Sequence, residues 1–113
     1  MNNLTAIILV DYFGYKDTKE CLESLVKMKN QNFKVIIVNN TPKKNAELLH
    51  DDFITRNAEI VESRENRGFS GGNNLGIKYA KEKYHPDFYM LLNNDTVVRV
   101  YLRSRLICAK WRK

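Results

Sequence analysis

Polar side chains follow three apolar segments of this chain, at the point where each segment ends. In chain order they are Asp11-Tyr12, Asn39-Asn40 and Asn93-Asn94-Asp95. Carboxylate and amide oxygens suit Mg²⁺ and Mn²⁺, which are often held by one or two carboxylates with phosphates and water completing the shell. The isolated carboxylate of Asp95 is the strongest candidate ligand for such a cation. Asn and Asp are also common turn residues, so Asp95 could instead only cap the element that follows.

A glycine-rich segment at residues 67–74 is the second candidate, since it contains Gly68, Gly71 and Gly72. Glycines before a helix let backbone amides approach an anion at the helix N-terminus. The segment is not an NTPase phosphate loop, because no Gly-Lys-Ser/Thr follows it, and it does not follow the first strand as a dinucleotide fingerprint would. The alternative is a flexible turn capped by Ser70 or Asn73.

The elements that position these groups alternate along the chain. Short apolar, β-branched segments predict strands at residues 6–10, 35–38, 59–62 and 88–92. Helical spacing predicts helices at residues 18–28, 46–53 and 75–84, the first with a capping box at residues 17–20. This order predicts an α/β fold: an open, mostly parallel sheet of about four strands with helices on both faces. The three polar strand ends are then expected around one crevice.

Composition limits the possible classes of protein. The chain has 113 residues, 43% of them apolar and 28% charged, which is typical of one soluble globular domain. No apolar run exceeds five residues, whereas a membrane-spanning helix needs about 20. Two cysteines cannot form a disulfide framework, and no Cys/His cluster has zinc spacing. We expect a cytoplasmic location, with the inner face of the membrane as a second possibility.

The positive charge lies at one end of the chain. Residues 1–98 contain 13 basic and 13 acidic side chains, so the net charge of +6 comes entirely from residues 99–113, the basic tail. The balanced charge of the larger part disfavours nucleic acid as its partner.

Five segments in order resemble family 2 glycosyltransferases with the GT-A fold, especially rhamnosyltransferase-like members. They begin with the apolar segment ending in Asp11-Tyr12 and end with Leu91-Leu-Asn-Asn-Asp-Thr-Val-Val; between them lie Glu20-Cys-Leu-Glu-Ser-Leu, Val35-Ile-Ile-Val-Asn-Asn and Asn66-Arg-Gly-Phe-Ser-Gly-Gly-Asn-Asn-Leu-Gly-Ile. The resemblance covers residues 5–98. It implies a Rossmann-like nucleotide-binding half, in a domain of residues 1–98, that binds a nucleotide-diphosphate sugar with Mg²⁺ or Mn²⁺ for transfer to an acceptor hydroxyl.

The resemblance also implies individual roles. The nucleotide-binding positions would be Asp11, Tyr12, Asn39, Asn66, Gly68, Gly72, Asn74 and Asn94. Asp95 would bind the metal, and the cation would offset charge on the leaving diphosphate. Asn39 stands where the family usually has an acidic residue that hydrogen-bonds the base, and this departure leaves the base preference open.

The resemblance ends at Val98, whereas the family continues into a half that supplies the acceptor site and the general base. Asp95 is the last acidic residue here, so the expectation is a truncated enzyme that is incomplete for catalysis. An exposed sheet edge or the basic tail would then favour homo-oligomers. Helical spacing of Val98, Leu102 and Ala109 suggests a basic amphipathic helix on an anionic membrane; sequence foreign to the family is the other interpretation.

Two alternatives to a donor-binding glycosyltransferase domain remain open. One is a non-enzymatic binding module whose basic tail contacts anionic membrane or nucleic acid. The other is an inert truncated remnant.

Overall fold

The computed structural model describes residues 3–27, 32–40, 58–63, 68–93, 96–100 and 107–111. In chain order the elements are β1 (Thr5–Asp11), α1 (Tyr15–Val26), β2 (Phe33–Asn39), β3 (Ala58–Glu62), α2 (Gly68–Tyr84), β4 (Phe88–Leu92), β5 (Thr96–Val100) and β6 (Ile107–Trp111). The helix predicted at residues 46–53 lies outside the described residues. No helix in the described part is long and apolar enough to cross a membrane.

The first four strands form one parallel sheet in the order β3-β2-β1-β4. In the centre of the sheet, Ile7 pairs with Val35 of β2 on one side and with Met90 of β4 on the other. The chain therefore builds outward from β1 through β2 to β3 and then returns to the other side of β1. The predicted four-stranded parallel sheet is confirmed.

Helices cover both faces of the sheet, as predicted. Alternate strand residues point to opposite faces, so the central strands β1 and β2 contribute to two separate cores. The core on the α1 face contains Ile7, Leu9, Cys21, Leu22, Leu25, Phe33, Val35, Ile37, Ala58 and Leu92. The core on the α2 face contains Ala6, Ile8, Ile36, Val38 and Ala80, with Val10, Val61, Leu75 and Ile77 packed against it. The central strands are buried on both sides, which explains their continuous apolar sequence.

Helix α1 begins earlier than the sequence pattern predicted. It starts at Tyr15 with Gly14 as its N-cap residue. Asp17 therefore lies inside the first turn, and the predicted capping box at residues 17–20 is wrong. The reason lies in Thr18, which is fully buried and whose hydroxyl donates to the Asp11 carboxylate instead of marking the start of the helix.

Helix α2 includes the glycine-rich segment that the sequence predicted to be a loop. It starts at Gly68 and runs for 17 residues to Tyr84. A Cβ at Gly72 would lie 2.8 Å from Val10 Cγ1, and one at Gly76 would lie 2.6 Å from Ile8 Cγ2. These two glycines lie four residues apart on one face of α2 and let the helix backbone approach the sheet closely. Packing against the sheet thus outweighs the low helix propensity of glycine.

The segment after β4 forms strands where helical spacing had suggested a helix. β5 and β6 pair antiparallel, with Thr96 opposite Trp111 and Val100 opposite Ile107. The amphipathic-helix interpretation is therefore wrong for these residues. β5 is rich in β-branched residues, which have high strand propensity, and the apolar spacing of so short a segment fits either a helix or a strand.

A partly exposed ion pair joins β3 to α2 on the side of the sheet where the strands begin. Glu59 Oε1 accepts hydrogen bonds from the Tyr79 hydroxyl and the Lys83 ammonium, each at 2.7 Å. Partial burial acts to raise the pKa of Glu59. The hydrogen bonds from Lys83 and Tyr79, with the charges of Lys83 and Lys34, outweigh it and hold that pKa below the ordinary 4.5.

Because the folded-state pKa of Glu59 is lowered, its contribution to stability is present above pH 4.5 and is lost as the pH falls through the lower folded-state value. We expect Glu59→Gln to flatten this acid-side loss in urea unfolding measured from pH 6 to 3. Glu82→Gln, an exposed change on α2, serves as the control and should keep the slope of the unchanged protein. Equal slopes in the unchanged protein and Glu59→Gln would contradict the assignment.

Candidate functional site

Polar side chains line the carboxyl edge of the sheet on three adjacent strands. Asp11 at the end of β1 is the register partner of Asn39 at the end of β2, and Asn39 is the partner of Glu62 at the end of β3. The ladder continues beyond these positions, because the Asn40 amide donates to the Asp11 carbonyl (2.8 Å) and the Ser63 amide donates to the Asn39 carbonyl (3.0 Å). Backbone hydrogen bonds between the strands therefore extend to the residues whose polar side chains line this edge.

Asp11 is anchored to α1. Its side chain is buried, and Oδ1 accepts a 2.5 Å hydrogen bond from the Thr18 hydroxyl. A buried carboxylate requires such donors, because desolvation of the charge is costly without them. The contact fixes the end of β1 against the first turns of α1, so the Asp11 side chain has a fixed position at the carboxyl edge.

Two exposed aromatic residues follow Asp11 directly. Tyr12 and Phe13 are 50% and 56% exposed, and their rings meet edge to face with centroids 4.7 Å apart. Phe13 has a φ of 53°, which is an outlier for a bulky residue. Such strain persists where the surrounding structure enforces it and is common at ligand sites. The carboxyl edge of the sheet thus presents an aromatic surface on which a planar group could stack.

Asn39 and Glu62 form a hydrogen-bonded pair at this edge. Asn39 is fully buried, and its side-chain amino group donates to Glu62 Oε1 at 3.1 Å. Glu62 is partly buried. The edge thus carries a carboxylate on β3 as well as the one on β1.

Asn40 ties the sheet to the start of α2. Its Nδ2 donates to the Gly68 carbonyl at 3.1 Å, while its buried Oδ1 accepts no hydrogen bond from the described residues. Within the same part of the chain, the Oδ1 of Asn73, which is also buried in the first turns of α2, accepts none either. Buried acceptors without a donor are costly. They suit a water or a ligand that offers N–H or O–H groups.

Of the residues predicted to bind a nucleotide, the structure brings Asp11 and Asn39 to one edge, with Tyr12 beside them. Gly68 joins this edge through Asn40, and Gly72 lies on the face of α2 that packs against Val10. Asn74 lies in α2 and is exposed. Asn66, Asn94 and Asp95 lie outside the described residues, so the role of each stays a prediction.

Within the described residues, no group of three or more acidic, His or Cys side chains is arranged to hold a metal ion. The oxygen-rich chemistry of the carboxyl edge is compatible with a hard divalent cation that takes one carboxylate and completes its shell with phosphates and water. Asp95, the predicted ligand, follows β4 after Asn93 and Asn94.

The sequence interpretation missed Glu62 and Thr18 as members of this edge, and it gave Asn40 no role of its own. Glu62 could have been found, because it ends the predicted third strand just as Asp11 and Asn39 end theirs. The polar strand ends named from the sequence come from the other three strands, and the end of this strand is not among them. The sequence placed Thr18 at the start of the first predicted helix, and only tertiary packing reveals its contact with Asp11.

Comparisons with known proteins agree with this architecture. The model of "Glycosyl transferase family 2" matches residues 6–106. The uncharacterized glycosyltransferase EpsJ of Bacillus subtilis is 34% identical over 83 residues, which cover 72% of this chain and 24% of that protein. A teichoic acid poly(glycerol phosphate) polymerase of Staphylococcus epidermidis is 29% identical over 105 residues, which cover 89% of this chain and 14% of that protein.

Solved structures show the same fold. The crystal structure of S. aureus TarS residues 1–349 superposes with a TM-score of 0.63 at 19% identity, covering 84% of this chain and 28% of that one. The four-stranded parallel sheet is thus that of the GT-A glycosyltransferases. The chain spans about a third or less of the length of the curated relatives it matches. On the family match, the chain belongs to glycosyltransferase family 2.

Proposed function

We propose that this chain binds a nucleotide-diphosphate sugar with Mg²⁺ or Mn²⁺ as the donor part of a glycosyl transfer to an acceptor hydroxyl. The observation that supports this most is the alignment of Asp11, Asn39 and Glu62 across three strands at the carboxyl edge. Ligands of open parallel sheets bind outside this edge, where the strand order reverses. Here the order reverses at β1, beside Asp11.

Each proposed contact follows from a side chain at that edge. Tyr12 would stack on the base, and Asn39 would hydrogen-bond it. The residues at and near the start of α2 would border the donor; they are Asn66, Gly68, Gly72 and Asn74. Asn94 would face the ribose and Asp95 would hold the cation, which supplies charge compensation for the diphosphate.

For this chain we propose the donor-binding step alone. The chain spans about a third or less of the length of its curated relatives, so the acceptor step is not assigned to it. We propose that the sugar of the bound donor is a hexosyl or rhamnosyl group.

Self-association through β4 is a proposed property of the same domain. β4 is an outer strand of the parallel sheet, and Phe88, Tyr89 and Leu91 on it are exposed. An apolar outer strand is a template for pairing with another chain. The six basic residues of the tail would add a peripheral contact with an anionic membrane at the cytoplasmic face.

Calorimetric titration of UDP, GDP and dTDP, with and without Mn²⁺, tests the donor proposal. We expect at least one nucleotide to bind in the presence of Mn²⁺ and to bind much more weakly without it. Asp95→Asn should remove the metal-dependent part, because it replaces the proposed carboxylate ligand. Glu82→Gln makes the same chemical change on the exposed face of α2 and should leave binding unchanged. Absence of metal-dependent binding for all three nucleotides would refute the proposed function.

A further inference from the structure

We propose that the carboxyl edge of the sheet docks on an anionic lipid surface through the exposed rings of Phe13 and Phe69. This contact is separate from the base contact assigned to Tyr12, and it needs no bound nucleotide. The inference deepens the proposed membrane contact of the basic tail, on which it rests for its charge. It adds the apolar groups that enter the lipid interface and the side of the domain that faces it.

Large apolar side chains are exposed at two places in the described part of the chain. They are Tyr12, Phe13 and Phe69 at the carboxyl edge, and Phe88, Tyr89 and Leu91 on β4. Phe88 is the register partner of Thr5 at the start of β1, whereas Phe13 follows the end of β1. At about 3.3 Å per residue, the length of β1 separates Phe88 from the carboxyl edge by about 20 Å. The rings at the edge therefore form a surface of their own.

Phe69 is tied to the carboxyl edge through Asn40. The Asn40 backbone amide donates to the Asp11 carbonyl at 2.8 Å, and the Asn40 side chain donates to the Gly68 carbonyl at 3.1 Å. These two hydrogen bonds join the residue before Tyr12 to the residue before Phe69. The segment that follows β1 and the first turn of α2 therefore lie side by side at this edge.

The ring of Phe13 contributes little to the fold. Its φ of 53° lies in the left-handed region, which Asn adopts more readily and which is an outlier for a bulky residue. The side chain is 56% exposed even with its edge-to-face contact to Tyr12. Backbone strain and an exposed apolar ring are both unfavourable in the isolated domain. We therefore attribute the ring to contact with a partner outside the chain.

Exposure and charge favour a lipid surface as that partner. Phe13 and Phe69 are each more than half exposed, so their rings protrude from the edge and do not line a pocket. Aromatic side chains suit the interface of a bilayer, and basic side chains are attracted to anionic headgroups. β5, which leads into the basic tail, begins four residues after β4 ends at this edge. So short a connection spans at most about 14 Å, so the tail follows a strand that starts beside the rings.

Co-sedimentation of the 113-residue chain with lipid vesicles tests the inference. One set of vesicles contains phosphatidylglycerol and phosphatidylcholine in equal parts, and the other contains phosphatidylcholine alone. We expect the unchanged protein to bind the anionic vesicles about tenfold or more tightly, because each basic residue near such a surface adds to the affinity. Phe13→Asn and Phe69→Gln should each weaken this binding about fivefold, since each removes one ring from the lipid interface.

Phe88→Gln is the matched control, because it makes the same change as Phe69→Gln at a side chain that is 57% exposed on β4. Its affinity for the anionic vesicles should equal that of the unchanged protein. Equal weakening in Phe88→Gln and Phe69→Gln would show unspecific adsorption of apolar side chains and would overturn the inference.

Urea unfolding of Phe13→Asn separates a partner contact from a structural role. Asn tolerates a positive φ, so the variant should unfold at the same urea concentration as the unchanged protein or at a higher one. A clear loss of stability would show that the ring serves the fold, and that result would contradict the inference. Phe69→Gln keeps a good helix former in α2 and supplies a second folded variant for the vesicle assay.

The remaining outcomes separate the inference from the proposals beside it. Binding to anionic vesicles that neither ring variant weakens overturns the inference and leaves the tail contact standing. Absence of binding to either kind of vesicle overturns both. Donor binding is decided separately by the nucleotide titrations, which contain no lipid.

Discussion

Leu9→Ala is expected to lower the free energy of unfolding by about 2 to 5 kcal/mol, the usual range for a fully buried leucine. Leu9 is 0% exposed in the middle of β1, the strand flanked by β2 and β4. Its side chain belongs to the core beneath α1. Truncation removes apolar contacts and leaves a cavity that the paired strands cannot close, because their backbones are fixed on both sides of β1.

Leu91→Ala is the matched control for this change. Leu91 is 50% exposed on β4, so its truncation should cost about 1 kcal/mol or less. Urea unfolding followed by circular dichroism would measure both variants, with the slope against urea checked for constancy. Equal losses in the two variants would show that the outer face of β4 is covered in solution, which would itself support self-association through that strand.

Gly76→Ala is expected to destabilise the fold by about 1 to 2 kcal/mol, although the same change in an exposed helix stabilises by about 1 kcal/mol. The new Cβ would lie 2.6 Å from Ile8 Cγ2 and 2.9 Å from Val38 Cγ2. Both neighbours are β-branched residues on central strands and have few alternative rotamers. The helix must therefore lift from the sheet, and overpacking of this kind costs about 1 to 3 kcal/mol.

A double-mutant cycle with Ile8→Ala makes this prediction specific. Ile8→Ala removes the methyl group closest to the new Cβ and opens space beneath α2. In that background Gly76→Ala should destabilise clearly less, because the closer of the two contacts is gone and the added methyl fills part of the cavity, while the contact with Val38 remains. Lys78→Ala, on the exposed side of α2, should stay within about 0.5 kcal/mol. A Gly76→Ala effect of the same size in both backgrounds would contradict close packing as the cause.

The strands were predictable because their residues leave few alternatives. The β4 bounds match the prediction, and β1, β2 and β3 extend it by one or two residues at their ends. Continuous β-branched segments that alternate with helices favour a parallel sheet, whose carboxyl edge then collects the polar strand ends. The meeting of Asp11 and Asn39 at one edge follows from this reasoning alone.

Helix α2 could not be placed correctly by the same reasoning. Glycine has low intrinsic helix propensity, so a segment with Gly68, Gly71 and Gly72 predicts a loop on local grounds. The packing energy that outweighs this preference comes from contacts with Val10 and Ile8, which lie on β1 and are distant in the sequence. Local propensity carries no information about such a contact.

The hydrogen bond between Thr18 and Asp11 has a consequence for sequence variation among relatives. An apolar residue at position 18 would leave the Asp11 carboxylate buried without this donor, and an apolar residue at position 11 would leave the hydroxyl without this acceptor. Selection should therefore act on the two positions jointly. In an alignment of homologues, their columns are expected to covary, with Ser or Thr at one accompanying an acid or amide at the other.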